Sequence, residues 1–157
     1  MKTLTLTQFQ RRLISLDEDL EQATIRGLRS SALRMVELTM AEISGSDPHP
    51  AVDRGELRNS VEYTREDDGG SVEVTAPHAA IIEEGTRPFW PPAEPLIRWM
   101  VRKGLAENED EAEEEVWAIQ AAIAQRGIEP RRYFATAFDR VQPIIAGEIS
   151  RELGGVK

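Results

Sequence analysis

Apolar residues recur every three or four positions from Thr7 to about Ser44. Phe9, Leu13, Leu16, Leu20 and Ala23 form one set, and Ile25, Leu28, Ala32, Met35, Thr39 and Ile43 continue one face over. This period predicts helix, not strand. Thr7 followed by Gln10 fits a capping box. The shift of the stripe, with Ser15 and Asp17 available as caps, leaves two arrangements open: a short helix followed by a long one, or one helix throughout. Gly45-Ser46-Asp47-Pro48-His49-Pro50 then predicts a loop.

Alternation replaces this period further along. Ser60 to Arg65 and Ser71 to Ala76 alternate apolar and polar residues around Asp67-Asp68-Gly69-Gly70, which predicts a β-hairpin. His78 to Glu84 reads as a short helix or turn stopped by Gly85. Thr86 to Pro95 holds four prolines with Phe89 and Trp90 and excludes regular helix. Pro95 to Lys103 predicts a helix with Leu96, Trp99 and Met100 inward, ended by Gly104. Asn108 caps the next, Glu109 to Arg126, with Glu111 at the capping-box position and a stripe of Ala112, Val116, Ile119 and Ile123. Pro130 opens a last helix from Arg131 to about Leu153, with Pro143 as a kink.

The expected fold class is α+β: a long N-terminal helix, a small antiparallel sheet (a hairpin at about 60–76 plus a short extra strand) and three C-terminal helices. The extra strand is expected because two strands alone are marginal. Phe89-Trp90, the start of the chain or a neighbouring subunit could supply it.

The chain has 157 residues, which suits a single domain. Its formal charge is -9, so it lacks the basic excess on which nucleic-acid affinity rests. An acidic surface suits a conduit for DNA better than a clamp. There are no cysteines, which removes disulfides, thiolate zinc sites and cysteine nucleophiles. No apolar run reaches the length of a membrane span. The first residues show neither a long apolar run nor a small-residue cleavage site, so no secretory signal is expected.

Candidate chemistry is sparse. Glu83 and Glu84 are adjacent carboxylates, but neighbouring side chains point different ways and no nucleophile accompanies them. A salt bridge with Arg58 or Arg87 suits them better. His49 and His78 lack metal-site spacing. Glu107, Glu109, Asp110, Glu111, Glu113, Glu114 and Glu115 read first as a solvated helix face, and second as a face meeting a basic partner or repelling DNA. Arg131-Arg132 beside Tyr133-Phe134 fits subunit contact, since arginine and aromatics are enriched at interfaces. Trp90, in a proline-stiffened arm, fits either core packing or interface contact. No phosphate-binding loop, dinucleotide fingerprint or nucleophile elbow is present. No enzyme activity, cofactor or metal is therefore expected.

Three segments carry a family resemblance. They are Asp53-Arg54-Gly55-Glu56-Leu57-Arg58-Asn59-Ser60-Val61, Ala76-Pro77-His78-Ala79-Ala80-Ile81-Ile82-Glu83-Glu84-Gly85-Thr86, and Pro130-Arg131-Arg132-Tyr133-Phe134-Ala135-Thr136-Ala137. Together they resemble the small neck or tail-completion (head-tail connector) proteins of long-tailed, double-stranded DNA phages and prophages. That family shows a Thr-Gly-x-Leu-Arg-x-Ser segment before a strand, then a hydrophobic-Glu-x-Gly-Thr segment, then a Pro-aromatic-x-x-Ala helix start. Arg54 departs from the usual Thr. The resemblance spans about 7–150 and implies one neck/tail-completion domain over 1–157, with a helical insertion at about 96–126.

The resemblance implies structural work in the virion neck: a ring subunit, expected as a homo-hexamer, joining the head connector to the tail. Head-completion or stopper proteins and tail-terminator or tail-tube proteins would be its partners. Genome DNA would pass without specific binding, and no membrane is involved. Assembly would take place in the host cytoplasm. The candidate subunit or partner contacts are Leu57, Arg58, Glu83, Glu84, Thr86, Arg87, Phe89, Trp90, Arg131 and Arg132. Residues 86–92 and the loop 45–56 are expected to be mobile. A tail-terminator or minor tail protein, a phage hydrolase using Glu83 or Glu84, and an assembly chaperone are the alternatives.

Overall fold

One helix, α1, runs from Leu6 to Ser44 in the computed structural model, which describes residues 5–45 and 55–156. The chain has two Thr-x-x-Gln registers at its start, and the earlier one forms the cap. Gln8 N–H donates to Thr5 Oγ1 at 3.3 Å, and Thr5 N–H donates to Gln8 Oε1 at 2.9 Å. The box thus lies two residues before the expected Thr7–Gln10, and Ser15 and Asp17 interrupt nothing. Ser15 instead bonds back to the Arg12 carbonyl within the helix.

The other elements are α2 (Glu56–Asn59), β1 (Val61–Glu66), β2 (Gly69–Val74), α3 (Ala79–Glu84), α4 (Ala93–Lys103), α5 (Glu109–Arg126) and α6 (Tyr133–Leu153). They divide into two compact units, Met1–Pro77 with Tyr133–Lys157, and His78–Arg132. The second unit holds α3, α4 and α5.

In the first unit α1 and α6 pack antiparallel. Arg26 pairs with Glu152 at 2.8 Å, Ser30 donates to Glu148 at 3.0 Å, and Glu42 pairs with Arg140. The buried row of α1 is Ala23, Gly27, Ser31, Met35, Thr39 and Ile43, a strict spacing of four. Such a row packs as one ridge into the groove of a second helix. Its small members let the backbones approach: a Cβ at Gly27 would sit 2.6 Å from Ile149 Cα. Ser31 and Thr39 are buried, but their hydroxyls donate to the carbonyls of Gly27 and Met35, at 2.9 and 2.8 Å. Met35, Ala137 and Val141 form the core, with Leu38, Val72 and Phe134 against it.

The hairpin packs on α1. Val61 faces Val74 and Tyr63 faces Val72 across the antiparallel pair. Asp67-Asp68 alone makes the turn, while Gly69 and Gly70 lie in β2. A Cβ on Gly70 would collide with the Tyr63 ring. The Tyr63 hydroxyl donates to the Gly69 carbonyl at 2.8 Å, and Arg29 of α1 donates to the carbonyls of Gly69 and Glu66 at 3.2 Å.

The expected third strand is not found: among the described residues the sheet has two strands. Phe89-Trp90 does not supply one, because Pro88, Pro91 and Pro92 around it lack the N–H a ladder needs. The start of the chain, residues 1–4, lies outside the described residues. The hairpin's apolar face is covered by α1 instead, which stabilises two strands without a third.

In the second unit α4 and α5 form a helical hairpin around Met100, Ala106, Ala112 and Val116, with Leu96, Trp99 and Ile119 packed against them. Gly104 (φ 68°) ends α4, and Leu105 N–H donates to the Met100 carbonyl at 2.9 Å. Asn108 caps α5 as expected, its Oδ1 accepting from Glu111 N–H at 2.9 Å. Glu111 in turn accepts from Glu107 N–H at 2.7 Å.

Candidate functional site

The second unit brings two of the three motif segments together. Thr86 follows the C-terminal glycine of α3, and Ile128 follows α5. They form an isolated antiparallel bridge: Thr86 N–H donates to the Ile128 carbonyl at 2.9 Å, and Ile128 N–H donates to Thr86 Oγ1 at 3.0 Å. Two further bonds extend the contact. Arg131 N–H donates to the Ile82 carbonyl at 2.8 Å, and Arg132 N–H to the Glu83 carbonyl at 3.1 Å. The last carbonyls of a helix have no partner within it; here Arg131 and Arg132, each 49 residues beyond its acceptor, supply two.

Glycine makes this approach possible. Gly85 (φ 71°, ψ -170°) and Gly127 (φ 75°, ψ -160°) occupy a region closed to other residues. A Cβ on Gly85 would strike the Ile128 carbonyl oxygen, and one on Gly127 the Thr86 carbonyl oxygen. Each glycine is therefore required by the backbone packed against it.

The clasp displays a short arm. Its start is pinned at Thr86. Its end is pinned where Gln120, buried in α5, donates Nε2 to the carbonyl of buried Pro91 at 2.9 Å. Arg87, Pro88, Phe89 and Trp90 between these anchors are exposed, Phe89 by 40% and Trp90 by 62%. Within 86–92, the segment expected to be mobile, Thr86 and Pro91 are hydrogen-bonded and four exposed residues lie between them. Trp90 is surface, not core, of its unit. Residues 46–54 of the other expected mobile loop lie outside the described residues.

The remaining candidates divide by position. Glu84 and Arg132 are exposed at the clasp, while Glu83, Thr86 and Arg131 are half-buried in it. Arg132 takes φ 51°, a rare value outside glycine, so α6 begins at Tyr133 and not at Arg131. Leu57 and Arg58 lie in the first unit. Leu57 is 2% exposed and packs in the interior, so its side chain offers no surface; Arg58 is exposed. The acidic residues from Glu107 to Glu115 are all exposed.

Three features escaped the sequence reading. Gln120 broke the apolar stripe of α5 and was the only signal for the Pro91 anchor. Trp117 stands beside that stripe, 64% exposed. The third feature is the N-terminal half of α1, whose apolar stripe is uncovered.

Among the described residues no cluster of His, Asp or Glu is arranged to hold a metal ion, and no helix is long and apolar enough to cross a membrane. The first unit has an open, mostly apolar groove of about 380 Å³ between α1, the hairpin and α6, lined by Leu28, Met35, Val72, Phe134 and Val141, with Glu66 and Asp68 of the hairpin also in its wall. Its one hydroxyl, on Ser31, is committed to the Gly27 carbonyl. Compared with protein-family models, curated proteins and solved structures, the chain matches none.

Proposed function

We propose that this protein is a structural subunit of a phage neck, one of a ring that joins the head connector to the tail around the DNA path. The observation that carries this reading is the clasp. The Ile82-Glu83-Glu84-Gly85-Thr86 and Pro130-Arg131-Arg132 segments, which carry the resemblance, meet backbone to backbone and hold an aromatic arm outward. An arm fixed at both ends loses little conformational freedom when it docks. Proline-flanked Phe89 and Trp90 offer the rigid apolar contact that interfaces favour.

The charge of -9 supports the same reading, because a wall of like charge lets DNA pass without holding it. Identical head-to-tail contacts, six-fold in this proposal, close on themselves as a ring. The work is done by contact, and no catalytic step is assigned.

The arm is tested by Phe89→Ala with Trp90→Ala, which touch no buried position. The variant protein is added to separate heads and tails purified from particles that lack it. The reading expects a folded protein that fails to join them. Restored joining would remove the arm from the interface, and binding to tails without heads would favour a tail-terminator role.

A further inference from the structure

The first turns of α1 pack on nothing in their own unit. Every residue from Thr5 to Gln22 is exposed, and burial begins at Ala23. Yet Leu6, Phe9, Leu13, Leu16 and Leu20 follow one another at spacings of three and four, with exposures of 74, 50, 50, 38 and 39%. This is the narrow a/d seam of a coiled coil, where Leu6, Leu13 and Leu20 are a and Phe9 and Leu16 are d. A helix of this length in water draws its stability from packing, so an uncovered seam implies a partner.

We propose that this segment pairs with the same segment of a second copy as a short antiparallel coiled coil. Charge identifies the occupant. The seam is flanked by Gln10 and Asp17 at e and by Arg12 and Asp19 at g. Basic Arg11 and Arg12 precede the acidic group Asp17, Glu18, Asp19 and Glu21. Antiparallel alignment sets Leu13 against the second copy's Leu16 and Phe9 against its Leu20. The same register sets Arg12 against the second copy's Asp19 and Gln10 against its Asp17, each twice by symmetry. A parallel pair also brings Arg12 near Asp17, but it lays the two acidic groups side by side. In the antiparallel register Leu6 lies opposite Ala23, so the overlap ends where the second copy's own packing starts.

The pairing does not depend on the neck reading. The paired span is about 22 Å long, well below a standard interface, so its dissociation constant belongs in the micromolar range. Sedimentation velocity of the full chain across that range should show a monomer–dimer equilibrium. Leu13→Asp with Leu16→Asp should abolish it, and at concentrations below the dissociation constant the variant should melt as the parent does, because both positions are exposed in the single chain. Arg12→Asp and Asp19→Arg should each weaken the homodimer about tenfold or more, and their equimolar mixture should recover dimer.

The chain has no cysteine of its own, so orientation can be read by oxidation. A mixture of Leu13→Cys and Leu16→Cys proteins should form the mixed disulfide, and Leu13→Cys alone should not. A chain monomeric throughout that range, a dimer that survives the double aspartate variant, or efficient self-crosslinking of Leu13→Cys would each overturn the proposal.

Discussion

Thr86 and Ile128 bond to each other twice, once through the Thr86 amide and once through its hydroxyl, at 2.9 and 3.0 Å. A short residue with a hydroxyl at Cβ is what this geometry needs. The backbone of Thr86 makes one rung, and its side chain supplies the acceptor for the other. Thr86→Val keeps the shape and removes that acceptor, leaving the Ile128 amide without its partner. The expected cost is about 1–3 kcal/mol in urea unfolding, with faster hydrogen exchange at Ile128. Thr86→Ser should retain most of the stability.

Glycine-to-alanine changes in the second unit should differ sharply in cost. Gly104→Ala adds a methyl to open space at an ordinary left-handed position, for about 1–2 kcal/mol. Gly127→Ala meets both a forbidden conformation and the Thr86 carbonyl, for at least about 3 kcal/mol. Equal effects in thermal unfolding would show that the close approach of Thr86 to Gly127 is absent.

The two helical glycines of the first unit should respond with opposite signs. Gly147 of α6 has nothing within 4 Å of an added Cβ, so Gly147→Ala should stabilise by about 0.5–1 kcal/mol through helix propensity alone. Gly27→Ala gains the same propensity, but it forces α6 away at Ile149. Overpacking of this kind costs about 1–3 kcal/mol, so the net change should be destabilising.

Gln120→Leu tests the far anchor of the arm. It removes the donor to the Pro91 carbonyl, and the freed arm should be cut by chymotrypsin at Phe89 faster than in the parent protein. Unchanged cleavage would mean that the bond does not restrain the arm.

The elements were legible wherever period and punctuation agreed. The Asn108 cap, the Gly104 stop and the hairpin each rest on local chemistry and were readable from neighbours in sequence, although the turn takes only Asp67-Asp68 of the expected Asp67–Gly70. The buried row of α1 was less so. Gly27 and Ser31 carry no hydrophobic signal, yet they line the contact with α6 because only small residues allow that approach. The third strand was expected on the ground that two are marginal, and the support comes instead from α1, far away in sequence. Of the candidate site, the residue types were readable but their meeting was not. Nothing local tells Ile82 that Arg131 will bond to it; that is set by the whole path through α4 and α5. The exposure of Phe9 and Leu13 was equally hidden, because periodicity shows that a stripe exists and not what covers it.

We propose that head and tail join through this protein. The most direct test places an early stop codon in its gene, induces the phage or prophage that carries it, and images the lysate by negative-stain electron microscopy. Mass spectrometry of purified parental particles accompanies the images. The account predicts DNA-filled heads beside separate tails in the mutant, and the protein present in parental particles. Normally joined virions in the mutant, or parental particles without the protein, would contradict it.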